Sequence, residues 1–133
     1  MQSNFSFRGS ILGFERLDMF SFNLIPDTAF YQLQSLEEKD IQFVVINPFD
    51  WMTKYEVELT EQVITELELQ EPNDALVLNI VTLRTPFSNS TVNYSAPLIL
   101  NVVNGRALQH VIQGKKTYSS RSPFLMNFSE EGN

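Results

Sequence analysis

The sequence predicts an all-β, mainly antiparallel fold: a small barrel-like or sandwich single domain with one or two short helices. Three observations carry this. Short runs rich in Phe, Val, Ile and Tyr recur along the 133 residues, separated by turn-forming residues. There are too few helical stretches to supply the crossovers of a parallel sheet. The stretch 90–101 reads as two β-like halves joined at Ala96-Pro97. Its first half alternates Thr91, Asn93 and Ser95 with Val92 and Tyr94, the period-2 pattern of a half-buried strand. Its second half, Leu98-Ile99-Leu100, is a continuous apolar run suited to a strand buried on both faces. Proline cannot donate to a sheet ladder, so the join is an edge, a bend or a bulge.

In chain order, strands are predicted over 4–7, 19–24, 30–34, 41–46, 55–59, 75–83, 92–94, 98–102 and 108–112. The breakers between them include Gly9-Ser10, Pro26-Asp27, Asn47-Pro48, Pro72-Asn73-Asp74, Pro86, Asn104-Gly105 and Gly114. Asn104-Gly105 is the strongest hairpin signal, because both residues tolerate the positive φ of a type I′ turn. One helix is predicted. Thr60 is its N-cap, Glu61 sits at the positive end of the dipole, and Val63, Ile64 and Leu67 share a face. It stops by Gln70, because Pro72 disfavours helical geometry at Glu71. A second short turn starts at Ser35, with Glu38 three residues later as in a capping box.

Length and composition set the class. The whole of 1–133 reads as one domain, with about 126–133 as a flexible tail. A hydrophobic fraction of 43% with eleven Phe predicts a packed core. No apolar run approaches the roughly 18 residues of a membrane span, and no signal-peptide pattern opens the chain, so a cytoplasmic protein with no membrane partner is predicted. The absence of cysteine removes disulfides and thiolate chemistry. Net charge is −7, and it is uneven: residues 1–74 hold fourteen Asp/Glu against four Lys/Arg. That balance argues against direct nucleic-acid binding and suits a basic protein partner, or simply a solvated acidic surface.

A search for reactive constellations finds none. His110 is the only histidine and has the strand parity of Leu108 and Ile112, so it reads as a strand histidine. With neither Cys nor a second His, a zinc site would need three carboxylates, and no metal is predicted. No nucleophile elbow or glycine-rich phosphate loop is present, so neither catalysis nor a nucleotide cofactor is implied. Glu56 and Glu58 share a strand face, yet i,i+2 side chains of one strand cannot easily flank a scissile bond. Phe49, Trp51 and Tyr55 cluster in a proline-interrupted loop, where aromatics either anchor a partner or cover the core. By elimination, the chemistry of the chain is recognition.

Several blocks then resemble the bacterial flagellar assembly factor family FliW. Ile11-Leu12-Gly13-Phe14-Glu15 is similar to its Gly-Phe-Glu signature. The runs 30–35 and 43–49, followed by Tyr55-Glu56, are similar to its central block. Residues 91–101 resemble its most recognisable block, followed by a Gln-x-Val-Ile element at Gln109, Val111 and Ile112. The likeness runs in order from about 5 to about 125. Ser10 and Leu12 stand where the family often has Gly and Pro, and the late run 114–123 keeps Tyr118, Arg121 and Pro123 but is otherwise loose.

The resemblance implies a non-enzymatic cytoplasmic β-protein that binds flagellin before export. It also implies binding to the RNA-binding translational regulator CsrA, relieving repression of flagellin synthesis. The recognition surface is then placed at Asn47, Phe49, Tyr55, Glu56 and Asn93, with Glu37 or Asp40 steering charge. Each has a structural alternative, and Asn47 and Asn93 in particular can bond neighbouring backbone. Two other readings stay open. One is a small-ligand or carbohydrate-binding module, or a carboxylate-based hydrolase, with a pocket lined by Trp51 and Tyr55 in the loop 47–58. The other is a structural subunit associating through edge strands near Pro97.

Overall fold

Four strands open the chain as an antiparallel meander, because the connections between them hold no helix to carry a crossover. In the computed structural model, which describes residues 3–52, 54–113 and 118–124, they are β1 (Asn4–Ser6), β2 (Met19–Leu24), β3 (Tyr31–Ser35) and β4 (Gln42–Ile46). Their register stacks aromatics across the sheet: Phe5 opposes Phe20, and Leu33 opposes Phe22 and Phe43. A 3₁₀ turn (Pro48–Asp50), helix α1 (Glu61–Leu67) and a second 3₁₀ turn (Pro72–Asp74) lead into the long strand β5 (Ala75–Thr82). The chain continues through a third 3₁₀ turn (Phe87–Asn89), β6 (Thr91–Val92), β7 (Leu98–Asn101), β8 (Ala107–Gln109) and β9 (Ser122–Pro123).

β5 organises the sheet. Its residues Asn79–Val81 pair with β4, its first four with β7, and Val81 and Thr82 with β6. Val92 opposes Val81 and Leu98 opposes Leu78, so the five residues 93–97 lie opposite Asn79 and Ile80 alone. The join at Ala96-Pro97 is thus a wide bulge in one interrupted strand, which is where the proline can sit without removing a ladder bond. β7 is buried at all four positions, as its apolar run predicts. The sheet curls so that the chain entering β8 returns to β1, where among the described residues a single parallel bridge joins Ser6 to Arg106, the residue before β8. The architecture is barrel-like, with no closing ladder among the described residues.

Phe5, Phe7, Phe20, Leu33, Val45, Leu78, Leu98 and Leu100 form the main core. Phe7 and Phe20 meet edge-to-face at 5.4 Å, and each fully buried Phe contributes about 1.5–3 kcal/mol. α1 covers one side, with Val63 and Leu67 buried against Ile99 of β7. The Thr60 hydroxyl caps it by accepting from the Val63 N–H. Glu68, at φ 56°, closes its C-terminus, and the Leu69 N–H reaches the Ile64 carbonyl.

Four sequence expectations need correction. Residues 55–59 keep alternating burial but pair with no strand among the described residues. The β7–β8 connection is not a two-residue type I′ turn. It spans 102–106, and only Gly105 in it takes positive φ, because the Asn101 side chain accepts from the Val103 and Asn104 N–H groups and sets a wider loop. Ile64 is 39% exposed, lying at the edge of the Val63/Leu67 face. At Ser35 a capped turn forms, with its hydroxyl accepting from the Glu38 N–H, but Glu38 pairs with Arg16 instead of closing a capping box. The tail expected at about 126–133 lies outside the described residues.

Candidate functional site

The bulge at 93–97 is held from inside. The Asn93 side-chain oxygen accepts from the Ser95 N–H (3.1 Å), the Ser95 hydroxyl (2.9 Å) and the Ala96 N–H (3.2 Å). Its backbone carbonyl accepts from the Asn79 amide at 2.8 Å. Asn93 is half-buried, so the backbone-bonding role of its side chain is in place whatever else it does. Asn47 is likewise a cap, its oxygen accepting from the Phe49 N–H at the start of the 3₁₀ turn.

Tyr55, predicted on the recognition surface, is 3% exposed and sits in the core. The chain turns inward after Pro48–Asp50, so the ring packs between Tyr94 and Tyr118. Burial pushes its phenol above the ordinary value, and the hydroxyl donates to the Tyr94 carbonyl at 2.6 Å. Phe49 stays 46% exposed above it, with ring centroids 5.9 Å apart. Trp51 is half-buried, stacked on Phe30 and edge-on to Phe124. Glu37 is exposed, and its carboxylate accepts from the Asp18 and Met19 N–H groups at the start of β2. Asp40 is exposed on the β3–β4 turn. The Gly-Phe-Glu signature is also structural here: the Gly13 N–H donates to Glu15, and Phe14 packs edge-on to Phe43.

Of the predicted residues, Glu56 lines the main groove among the described residues. A groove of about 730 Å³ runs between 56–66 and 108–113. Because Val57 and Leu59 point inward, Glu56 and Glu58 face out along one wall, and Glu66 of α1 continues it. Leu108, Val111 and Ile112 supply apolar surface on the other wall beside His110. That wall hangs on the bulge, since the His110 N–H donates to the Pro97 carbonyl and the Ile112 N–H to the Ser95 carbonyl. No local pattern marks the groove, because its walls are about fifty residues apart in sequence. Neither Trp51 nor Tyr55 lines it, so the aromatic-lined pocket of the small-ligand reading is not formed there.

Among the described residues no group of three or more His, Asp or Glu is placed to hold a metal ion. No helix among them is long and apolar enough to cross a membrane. Fold and site define a small antiparallel β domain with an acid-walled groove beside an interrupted strand. The FliW protein family model matches residues 1–124. Similar chains include the flagellar assembly factor FliW of Anoxybacillus flavithermus, 35% identical over 119 residues covering 90% of this chain and 77% of that one. The Clostridioides difficile protein of the same name is 36% identical, covering 86% and 88%. A crystal structure of the flagellar assembly factor FliW superposes with TM-score 0.85 at 26% identity, covering 92% and 85%. The chain belongs to the FliW family.

Proposed function

We propose that this protein is a cytoplasmic flagellar assembly factor that binds flagellin and antagonises the CsrA-type RNA-binding regulator, coupling flagellin synthesis to filament assembly. It works by recognition, without catalysis or a cofactor, and without touching nucleic acid or membrane. The observation carrying this reading is membership of the FliW family across residues 1–124, among relatives named flagellar assembly factors. The acidic balance supports it, because an RNA-binding regulator carries basic surface and opposite charge speeds and orients encounter. Exposed Phe49 and Glu56, with Asn47 capping the turn at Phe49, Asn93 holding the neighbouring bulge and Glu37 or Asp40 steering, make the contact surface. Size-exclusion chromatography of the protein mixed with flagellin, and separately with CsrA, tests the reading. Each partner co-elutes at micromolar concentration; if neither does, the proposal fails.

A further inference from the structure

We infer that the groove between α1 and 108–113 docks a basic segment of a protein partner, one that carries an apolar stripe beside its cations. The inference rests on the reading of the chain as a protein-binding factor and adds where and by what chemistry. Three carboxylates, Glu56, Glu58 and Glu66, stand along one wall, and none of the described residues lining the groove is Lys or Arg. A cationic segment laid along that wall meets opposite charge, which speeds and orients its encounter.

Charge alone does not select a segment. The opposite wall does, because Leu108, Val111 and Ile112 bring apolar surface to the same concavity. Val111 is 46% exposed, so its methyl groups face solvent until something covers them. A helix or strand with Lys/Arg on one side and aliphatic residues on the other satisfies both walls at once. Phosphate backbones are repelled by the carboxylates, which excludes nucleic acid as the occupant. Both walls are also fixed before binding: α1 is capped at each end, and 110–112 are bonded to the bulge. Little ordering is left for the partner to impose.

The test uses a fluorescent helix-forming peptide of Lys and Leu, a matched peptide with Glu for Lys, and anisotropy titrations against the full chain. Wild type binds the Lys peptide and not the Glu peptide. The variant E56Q/E58Q/E66Q weakens binding at least tenfold, while the charge-matched D27N/D50N/E71Q, outside the groove, changes it less than twofold. V111S on the exposed apolar wall weakens it several-fold. Raising salt from about 0.05 to about 0.3 M weakens the wild type more than the triple groove variant. Equal losses in the two triple variants, or no loss in V111S, overturn the groove in favour of bulk charge attraction. CsrA is run against the same proteins. If wild type and E56Q/E58Q/E66Q bind CsrA alike, the groove assignment falls for that partner while the proposed function stands. If wild type binds neither CsrA nor flagellin, the proposed function falls and the peptide series still decides the groove.

Discussion

The Tyr55 hydroxyl donates to the Tyr94 carbonyl at 2.6 Å, tying the segment that follows the first 3₁₀ turn to the bulge in the β6–β7 strand. The Asn79 amide completes the link, donating to the Tyr55 oxygen at 3.1 Å and to the Asn93 carbonyl at 2.8 Å. Ile112 of the groove wall packs against the same cluster as Tyr55 and Tyr94. The polar link thus anchors the start of the bulge, whose Ser95 and Pro97 carbonyls hold the groove wall at Ile112 and His110.

Replacing Tyr55 with Phe keeps the ring but strands a buried carbonyl and one amide hydrogen of Asn79. The expected loss is about 1–3 kcal/mol, read from urea midpoints. An unchanged midpoint would show that the link carries no stability. Burial raises the phenol's pKa in the folded state, so above the ordinary value of about 10 the unfolded chain gives up this proton first. The unfolded state then binds fewer protons, and stability falls as pH rises. The advantage of wild type over Y55F is accordingly full at neutral pH and shrinks above about pH 10. A difference independent of pH contradicts this.

Asn101 performs a similar task at the end of β7. It is 1% exposed; its amide donates to the Leu67 carbonyl at 2.7 Å, and its oxygen accepts from Val103 N–H at 2.8 Å. N101A removes all of these and loses about 1–3 kcal/mol. N101D keeps the acceptor but sets a carboxylate oxygen against the Leu67 carbonyl, so at neutral pH it loses more than N101A. Protonation restores a donor, so the folded state holds the proton more tightly than the unfolded chain. N101D therefore recovers relative to wild type as pH falls toward about 4. Parallel pH profiles for N101D and wild type would rule this out.

Two glycines separate backbone strain from collision. Gly9 has φ +76°, and a Cβ there meets the Glu15 carbonyl oxygen at 2.7 Å. Gly13 has φ +86°, with nothing within 4 Å of its added Cβ. Left-handed backbone costs an alanine about 1–2 kcal/mol in either place. G9A adds a backbone clash, so its thermal midpoint falls further than that of G13A. The reverse order would mean the Gly9 turn opens without cost.

The strands were largely legible because alternation and apolar runs are local signals, and the bulge was legible through Pro97. Its partner Asn79 was not, since nothing near Asn79 in sequence says which carbonyl its amide will meet. The 55–59 segment carries a strand's alternation but joins no ladder among the described residues, because ladder formation depends on a neighbour that local pattern does not specify. Asn104-Gly105 gave a type I′ signal that the Asn101 side chain overrides. β9 is only Ser122-Pro123, an edge pair with no strand pattern of its own. Tyr55 looked like a surface anchor because an aromatic in a loop reads the same whether it points out or in.

Asn93 is where architecture and recognition have to be separated experimentally. Its side chain accepts three hydrogen bonds within the bulge, so N93A loosens 93–97 and with it the wall bonded at Pro97 and Ser95. A loss of about 1–2 kcal/mol in stability is expected for N93A. An aspartate offers the same oxygen to the same three donors, so N93D keeps stability within about 0.5 kcal/mol of wild type. The two variants then divide the roles when flagellin and CsrA binding are measured beside urea midpoints. If Asn93 acts only through the bulge, N93D binds both partners as wild type does and N93A does not. If its amide touches a partner, N93D loses that partner while remaining fully folded. A stable N93A that binds normally would remove Asn93 from both roles.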